Sequence, residues 1–214
     1  MEGAPDVPVM IKDGRSVLFI HIPKTGGTTI ERMFAKAGWE VHFREGKRAR
    51  PHVFPLLRCS PQHYHADLLV ELFDVSRFDV VAGIVREPLA RFRSEFSMRH
   101  RQLDSTDEDQ VATWTERVLT RYAENPYALD NHLRPQTEFL LPGAEVYRLE
   151  DSLEAMVADL NARFDLGLPT KVPHKLASHE RGIPSSKVPL TPEVRSRVQE
   201  FYAADFADLG YPTD

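Results

Sequence analysis

The chain has 214 residues, of which 42% are hydrophobic and 28% are charged. This is ordinary globular usage, so a disordered, collagen-like or coiled-coil chain is excluded as an overall description. The formal net charge of −5 disfavours nonspecific nucleic-acid binding. The single cysteine, Cys59, excludes an internal disulfide and a four-cysteine zinc site. No apolar run approaches the ~18 residues of a membrane span and no signal peptide is recognisable, so we expect a soluble cytoplasmic protein.

The predicted elements alternate between strands and helices. Residues 1–15 are expected to form a flexible tail. Near-continuous apolar runs at residues 16–22 and 78–85 are typical of buried parallel strands, and helical spacing follows each of them. This alternation predicts one α/β domain over residues 16–214, with a central parallel sheet flanked by helices. The other predicted elements are strands at 40–43 and 145–149, helices at 61–73, 88–101 and 111–122, a helix with a capping box of Asp151 and Glu154, a last helix capped by Thr191, and irregular segments at 44–58, 125–137 and 168–190.

The segment FIHIPKTGGTTI places a glycine turn between a buried strand and an amphipathic helix. A helix N-terminus presents unpaired N–H groups with partial positive charge, and glycines let an anion approach the backbone closely. We therefore predict a phosphate-binding loop rather than an ordinary strand-to-helix turn. The residue order differs from a Walker A loop, in which the lysine follows the glycines. The predicted loop residues are Lys24, Thr25, Gly26, Gly27, Thr28 and Thr29.

A second anion site is predicted where Arg86 directly follows the buried strand FDVVAGIV. Ligands of open parallel sheets bind at the carboxyl ends of the strands, and a guanidinium can hold a phosphate through two hydrogen bonds. On the helix that begins at Pro88, Ser94 and Ser97 share a face of small residues that would leave room for a ligand. Two anion sites on adjacent strands predict a nucleoside with phosphate groups at both ends. Because Arg86 stands where a magnesium-binding aspartate would be needed, a magnesium nucleoside triphosphate is disfavoured.

Both motifs resemble the sulfotransferase superfamily, whose members use PAPS (3′-phosphoadenosine 5′-phosphosulfate). The resemblance is to the carbohydrate branch that includes heparan sulfate 2-O-sulfotransferase, and to similar bacterial sulfotransferases. IPKTGGTT resembles the family's 5′-phosphosulfate loop, and VREPLARFRSEF resembles its 3′-phosphate motif, whose arginine and serine are eight residues apart, as Arg86 and Ser94 are. The resemblance implies a P-loop-like fold and transfer of a sulfuryl group to a hydroxyl of a carbohydrate or glycoconjugate. It also implies 3′,5′-ADP as the nucleotide product and no metal.

The same resemblance assigns roles to further residues. The family's base is a histidine between the two phosphate motifs, and in CSPQHYHADLL it corresponds to His65, with His63 as the second candidate. Lys24 would stabilise the charge that grows on the departing phosphate oxygen. The late segment VPHKLASHERG would place Arg181 and Gly182 against the nucleotide. The segment NHLRPQTEFL would supply the acceptor side with Asn131, Arg134 and Gln136.

Two other functions stay open at this point. One is a small-molecule kinase, which magnesium dependence would identify, and the other is a non-catalytic nucleotide-binding protein on the same fold, which an activity assay would identify. A metal site at His63 and His65 is a weaker alternative, because no third ligand of clear spacing is nearby. The basic loop at 44–58 has two possible roles, contact with an anionic glycan or a disordered flap.

Overall fold

The computed structural model describes residues 9–42, 58–172 and 182–213. Within these ranges five strands and seven α-helices form a mixed α/β fold, which confirms the predicted class. The strands are β1 (Val9–Lys12), β2 (Arg15–Ile20), β3 (Glu40–His42), β4 (Val80–Val85) and β5 (Glu145–Arg148). The helices are α1 (Gly27–Lys36), α2 (Ala66–Leu72), α3 (Pro88–Arg99), α4 (Glu108–Glu124), α5 (Leu153–Phe164), α6 (Pro192–Phe201) and α7 (Ala203–Asp208).

The sheet has the strand order β3-β1-β2-β4-β5. β2, β4 and β5 run parallel, as predicted, but β1 pairs antiparallel with both β2 and β3. Of the described strands, only β1, which was not predicted, runs opposite to the others, because β3 is antiparallel to β1 and therefore has the same direction as β2. In the register of β2 and β4, Ile20 pairs with Gly83, so the segments that follow these two strands leave the sheet at the same edge. That edge is where open parallel sheets bind ligands.

The predicted flexible tail is too long, because its second half is part of the sheet. Val9–Lys12 forms β1, and a two-residue turn of Asp13 and Gly14 connects it to β2. Both turn residues have positive φ, 50° and 77°, as a tight hairpin turn requires. An Asp-Gly pair between apolar runs is a known hairpin signal, so the sequence did contain this information.

One core cluster lies on one face of the sheet, against α1 and α5. Apolar side chains of alternating strand positions, including Phe19 and Ile84, meet the buried stripe of each helix. The predicted stripe of the helix before residue 165 is confirmed, but its cap is wrong: Ser152, rather than Asp151, accepts a hydrogen bond from the amide of Ala155 at 3.1 Å. The buried core side chains of α1 and α5 are Ile30, Met33, Phe34, Met156, Val157 and Leu160.

The chain divides into two compact units. The sheet unit comprises Met1–Val85 and Glu138–Pro173, and the helical unit comprises Arg86–Thr137 and His174–Asp214. In the helical unit, the aromatic rings of α3 and α4 pack together, with Phe92 and Trp114 at a centroid distance of 5.0 Å. Among the described residues, none of the helices is both long and apolar enough to traverse a lipid bilayer.

Two further predictions about local structure have clear outcomes. The single helix predicted at 61–73 is instead a 3-10 turn, Pro61–His63, followed by α2 after a break at Tyr64 and His65. The predicted cap of the last long helix is confirmed, because the Thr191 hydroxyl accepts from the amide of Val194 at 3.2 Å. Of the basic loop at 44–58, only Arg58 falls within the described residues, and Arg181 falls outside them.

Candidate functional site

The segment after β2 forms a tight loop that leads into α1. Lys24 and Gly26 both adopt left-handed backbone conformations, with φ of 72° and 93°. Glycine tolerates this region, whereas a lysine there is strained, and such strain is commonly found at functional loops. The buried hydroxyl of Thr25 donates to the carbonyl oxygen of Ile22 at 2.8 Å. The structure therefore gives Thr25 a role inside the loop.

The residue at the cap position of α1 provides no side-chain cap. Gly26 occupies the cap position, and the first turn contains no acidic residue. The side chain of Thr28 is exposed, whereas Thr29 is buried and its amide donates to the Gly26 carbonyl at 3.0 Å. Helix N-termini carry partial positive charge and N–H groups without intrahelical partners. With Lys24 nearby in the chain, this end of α1 is therefore equipped to bind an anion through its backbone.

A buried polar cluster lies beneath this loop, and the sequence reasoning missed it. Glu31 of α1 is 0% exposed, and His21, which follows β2, is 6% exposed. Nδ1 of His21 makes a short hydrogen bond to Oε1 of Glu31, and the side-chain amide of Gln62 donates to the same oxygen at 3.1 Å. A Cβ added at Gly27 would lie 2.8 Å from the His21 ring, so this position has room only for glycine. The packing of the His21 ring is therefore sufficient to explain the glycine at this position.

The two candidate bases lie on either side of the break before α2. His63 and His65 are both buried, with exposures of 9% and 5%. Nδ1 of His63 lies 3.1 Å from Oγ of Ser60, and its ring meets the His21 ring edge-on at a centroid distance of 5.4 Å. Nε2 of His65 is 3.9 Å from the exposed carboxylate of Asp67. In the sheet unit, the structure therefore brings His63 against the loop cluster, and the role of His65 stays a prediction.

Arg86 begins the helical unit, and its backbone is held on both sides by one side chain. The Arg86 amide donates to Oε1 of Gln136 at 2.9 Å, and the Gln136 amide nitrogen donates to the Arg86 carbonyl at 2.8 Å. Gln136 is 0% exposed, and its own backbone amide donates to the buried carboxylate of Asp205 at 2.9 Å. The predicted acceptor-binding role of Gln136 therefore stands beside a structural one, in which it fixes the backbone of Arg86.

The serine face of α3 is covered in part. Ser94 is 6% exposed, and one turn later Ser97 is 2% exposed and donates to the carbonyl oxygen of Ile183. Gly182 packs so closely on the end of α3 that a Cβ there would lie 2.8 Å from Cα of Arg101. The prediction that this face leaves room for a ligand is therefore wrong at Ser97. Gly182 serves this packing, and its predicted contact with nucleotide stays a prediction.

The segment predicted to contact the acceptor is irregular, as expected, but its polar side chains interact with other residues of the same segment. Leu129, Asp130 and Asn131 are three consecutive residues with positive φ, between 54° and 62°. Asn131 is fully buried and accepts from Nε of Arg134 at 3.1 Å. The guanidinium of Arg134 also lies over the Tyr127 ring, 5.3 Å from its centroid. Asn131 and Arg134 therefore stabilise a strained turn.

Glu95 of α3 ties this turn to the helix. Its carboxylate, 2% exposed, lies 2.7 Å from Nδ1 of His132 and 2.7 Å from Nε of Arg99. Burial alone would raise the pKa of Glu95, but His132 and Arg99 outweigh it and lower the pKa to about 2. Arg99 also donates to the carbonyl oxygen of Leu129 at 3.0 Å. Glu95 is therefore a permanently charged anchor for the helical unit at neutral pH.

A comparison with protein families now adds to the geometry. A family model described as a sulfotransferase family matches residues 7–212, which is nearly the whole chain. No curated protein and no solved structure matches the chain. Members of this family are transferases with a nucleotide donor and an acceptor, and they generally take the sulfuryl group from PAPS. The loop before α1 and the strand–arginine motif before α3 lie within the matched range, and the chain belongs to the sulfotransferase family.

Proposed function

We propose that this chain transfers a sulfuryl group from PAPS to a hydroxyl group, with a carbohydrate or glycoconjugate as the acceptor. The observation that carries the proposal is the N-terminus of α1, which has glycine at its cap position, no acid in its first turn and a glycine loop before it. Backbone N–H groups at this position suit a phosphosulfate, which is an anion with several acceptor oxygens. The family match supplies the chemistry that such a site would serve.

The 3′-phosphate is assigned to Arg86 and Ser94. The Gln136 side chain fixes the Arg86 backbone on both sides, so the side chain extends from a fixed point. Only the side-chain torsions of Arg86 would then have to be ordered when its guanidinium binds a phosphate. Because Glu87 already accepts from the first amides of α3, the side chains rather than the helix N-terminus would bind this phosphate.

In the proposed reaction the acceptor oxygen attacks sulfur in line with the bridging phosphate oxygen. The new O–S bond forms as the old S–O bond breaks, and 3′,5′-ADP leaves with the bonding electron pair. The acceptor proton passes to a histidine, either His65 by family resemblance or His63 by its contact with the loop cluster. Lys24 stabilises the negative charge on the departing oxygen, and such preorganised charge is commonly the largest contribution to catalysis.

Calorimetric titration tests the proposal without knowledge of the acceptor. The protein is titrated with 3′,5′-ADP and with ATP, each with and without magnesium. We expect 3′,5′-ADP to bind more tightly and without dependence on magnesium, because Arg86 follows β4 where a magnesium-binding aspartate would be needed. Tighter, magnesium-dependent binding of ATP would overturn the proposal in favour of a kinase.

A further inference from the structure

The proposed reaction leaves the buried pair of His21 and Glu31 without a task. Glu31 has no exposed surface, and burial of a carboxylate is costly unless a partner compensates it. A buried ion pair is often no more stabilising than an apolar pair of the same size. A contribution to stability therefore does not explain the pair well. Its position relative to the loop suggests a different role.

The hydrogen bond between His21 and Glu31 connects the two ends of the loop. His21 is the first residue after β2, and Glu31 lies in the second turn of α1, so their hydrogen bond joins the end of the strand to the helix. The ring of His21 fills the space against Gly27, the first residue of the helix. The hydrogen bond therefore fixes the separation of β2 and α1, and the ring contact fixes the position of the first residue of α1.

The hydrogen-bond roles in this cluster follow from its chemistry. With Glu31 assigned as a carboxylate, which only accepts, the proton of this hydrogen bond is assigned to Nδ1 of His21. The Gln62 nitrogen lies 3.0 Å from Nδ1 and 3.1 Å from Oε1 of Glu31. Since Nδ1 has no lone pair available in this form, the Gln62 amide donates to the carboxylate. The carboxylate of Glu31 thus accepts from His21 and Gln62, which both belong to the sheet unit.

We propose that His21 and Glu31 are positioning residues, which hold the first turn of α1 in the geometry that binds the donor's 5′ anion. The inference rests on the proposed function, because it takes the loop to be the 5′ site. Neither residue need touch the nucleotide. Loss of their hydrogen bond would leave the loop residues present but would free the backbone N–H groups from a defined orientation.

The test compares two nucleotides in calorimetric titrations of purified variants. 3′,5′-ADP uses the loop, whereas 3′-AMP lacks the 5′ group and serves as an internal control for folding and for the 3′ site. We expect His21→Leu and Glu31→Gln to weaken 3′,5′-ADP by about tenfold or more and to leave 3′-AMP within about twofold, since the first removes the hydrogen bond and the second reduces it to a weaker bond between neutral groups. Glu71→Gln, which makes the same chemical change on an exposed residue of α2, should alter neither affinity.

Two further measurements distinguish a positioning role from simple stabilisation of the fold: the affinity of a rescue variant and the protonation state of the His21 ring. His21→Asn places an amide N–H near the position of Nδ1, so we expect most of the 3′,5′-ADP affinity to return. Nitrogen-15 NMR of the wild-type histidines should show a protonated Nδ1 for His21. If wild type binds 3′,5′-ADP but the variants bind it equally well, or if Nδ1 of His21 is unprotonated, the inference fails while the proposed function stands. If wild type binds neither nucleotide, the proposed function fails and the inference falls with it.

Discussion

Helices α1 and α3 each follow a parallel strand, and each carries a buried glutamate bonded to Nδ1 of a histidine. In α1 the pair is Glu31 and His21, and in α3 it is Glu95 and His132. Their N-termini differ. The cap position of α1 is a glycine without a side chain, whereas the carboxylate of Glu87 accepts from two amides at the start of α3, at 2.9 and 2.6 Å.

In the proposed function, this difference gives two ways to bind an anion. The backbone itself would be the receptor at α1, where the loop would need glycine and a fixed position. At α3 the side chain of Glu87 already accepts from the first amides, so binding there would depend on the Arg86 guanidinium and the Ser94 hydroxyl. Substitutions should therefore affect the loop through geometry and the α3 motif through lost charge.

The two buried glutamates also differ in their partners, because Glu95 contacts two basic side chains. Substitution of Glu95 should therefore give the largest effect on stability. Its carboxylate faces two basic side chains, and its pKa of about 2 lies below the ordinary 4.5. A lowered pKa stabilises the fold above the ordinary value, and this stability is lost as the pH falls from about 4.5 towards 2. The shift corresponds to about 3 kcal/mol at neutral pH.

Glu95→Gln should therefore lower the free energy of unfolding at pH 7 by about 3 kcal/mol, with a smaller difference from wild type at each step below pH 4.5. Urea denaturation of both proteins between pH 7 and pH 3 measures this. The exposed Glu124, changed to Gln in the same unit, is the matched control and should give little difference at any pH. A Glu95→Gln difference that stays constant with pH would contradict the assigned ion pairs.

Arg86→Ala separates the two anion sites by ligand. We expect the affinity for 3′,5′-ADP to fall by about thirtyfold, because hydrogen bonds from a guanidinium to a phosphate are lost, and the affinity for 5′-AMP to stay within about twofold. Calorimetric titration of each nucleotide measures both values. The exposed Arg77→Ala of the sheet unit controls for loss of one positive charge. Equal losses for the two nucleotides would remove Arg86 from the 3′ site.

The sequence predicted the elements that local chemistry determines. The glycine loop, the two central parallel strands and the Thr191 cap all follow from residue types that are adjacent in the chain. The His21–Glu31 bond was not predictable in this way, because the ten-residue separation acquires meaning only when the loop folds back on α1. Asn131 and Gln136 were predicted as acceptor contacts from the family resemblance, and that role stays a prediction. Their burial, which the sequence does not reveal, also gives them backbone and side-chain partners within the fold.

The cap of α3 gives the smallest expected effect and the most direct test of the comparison. Glu87→Ala removes a side chain that accepts from the amides of Leu89 and Ala90, and it should lower the free energy of unfolding by about 1 kcal/mol.

The freed amides then resemble those at the start of α1, so a phosphate gains backbone donors and loses a nearby negative charge. We therefore expect 3′-AMP to bind Glu87→Ala as tightly as wild type or slightly more tightly, despite the lower stability. Thermal unfolding and calorimetry measure the two quantities separately. Weaker binding of 3′-AMP by the folded variant would mean that the cap itself orients Arg86, and that side chains alone do not define the α3 site.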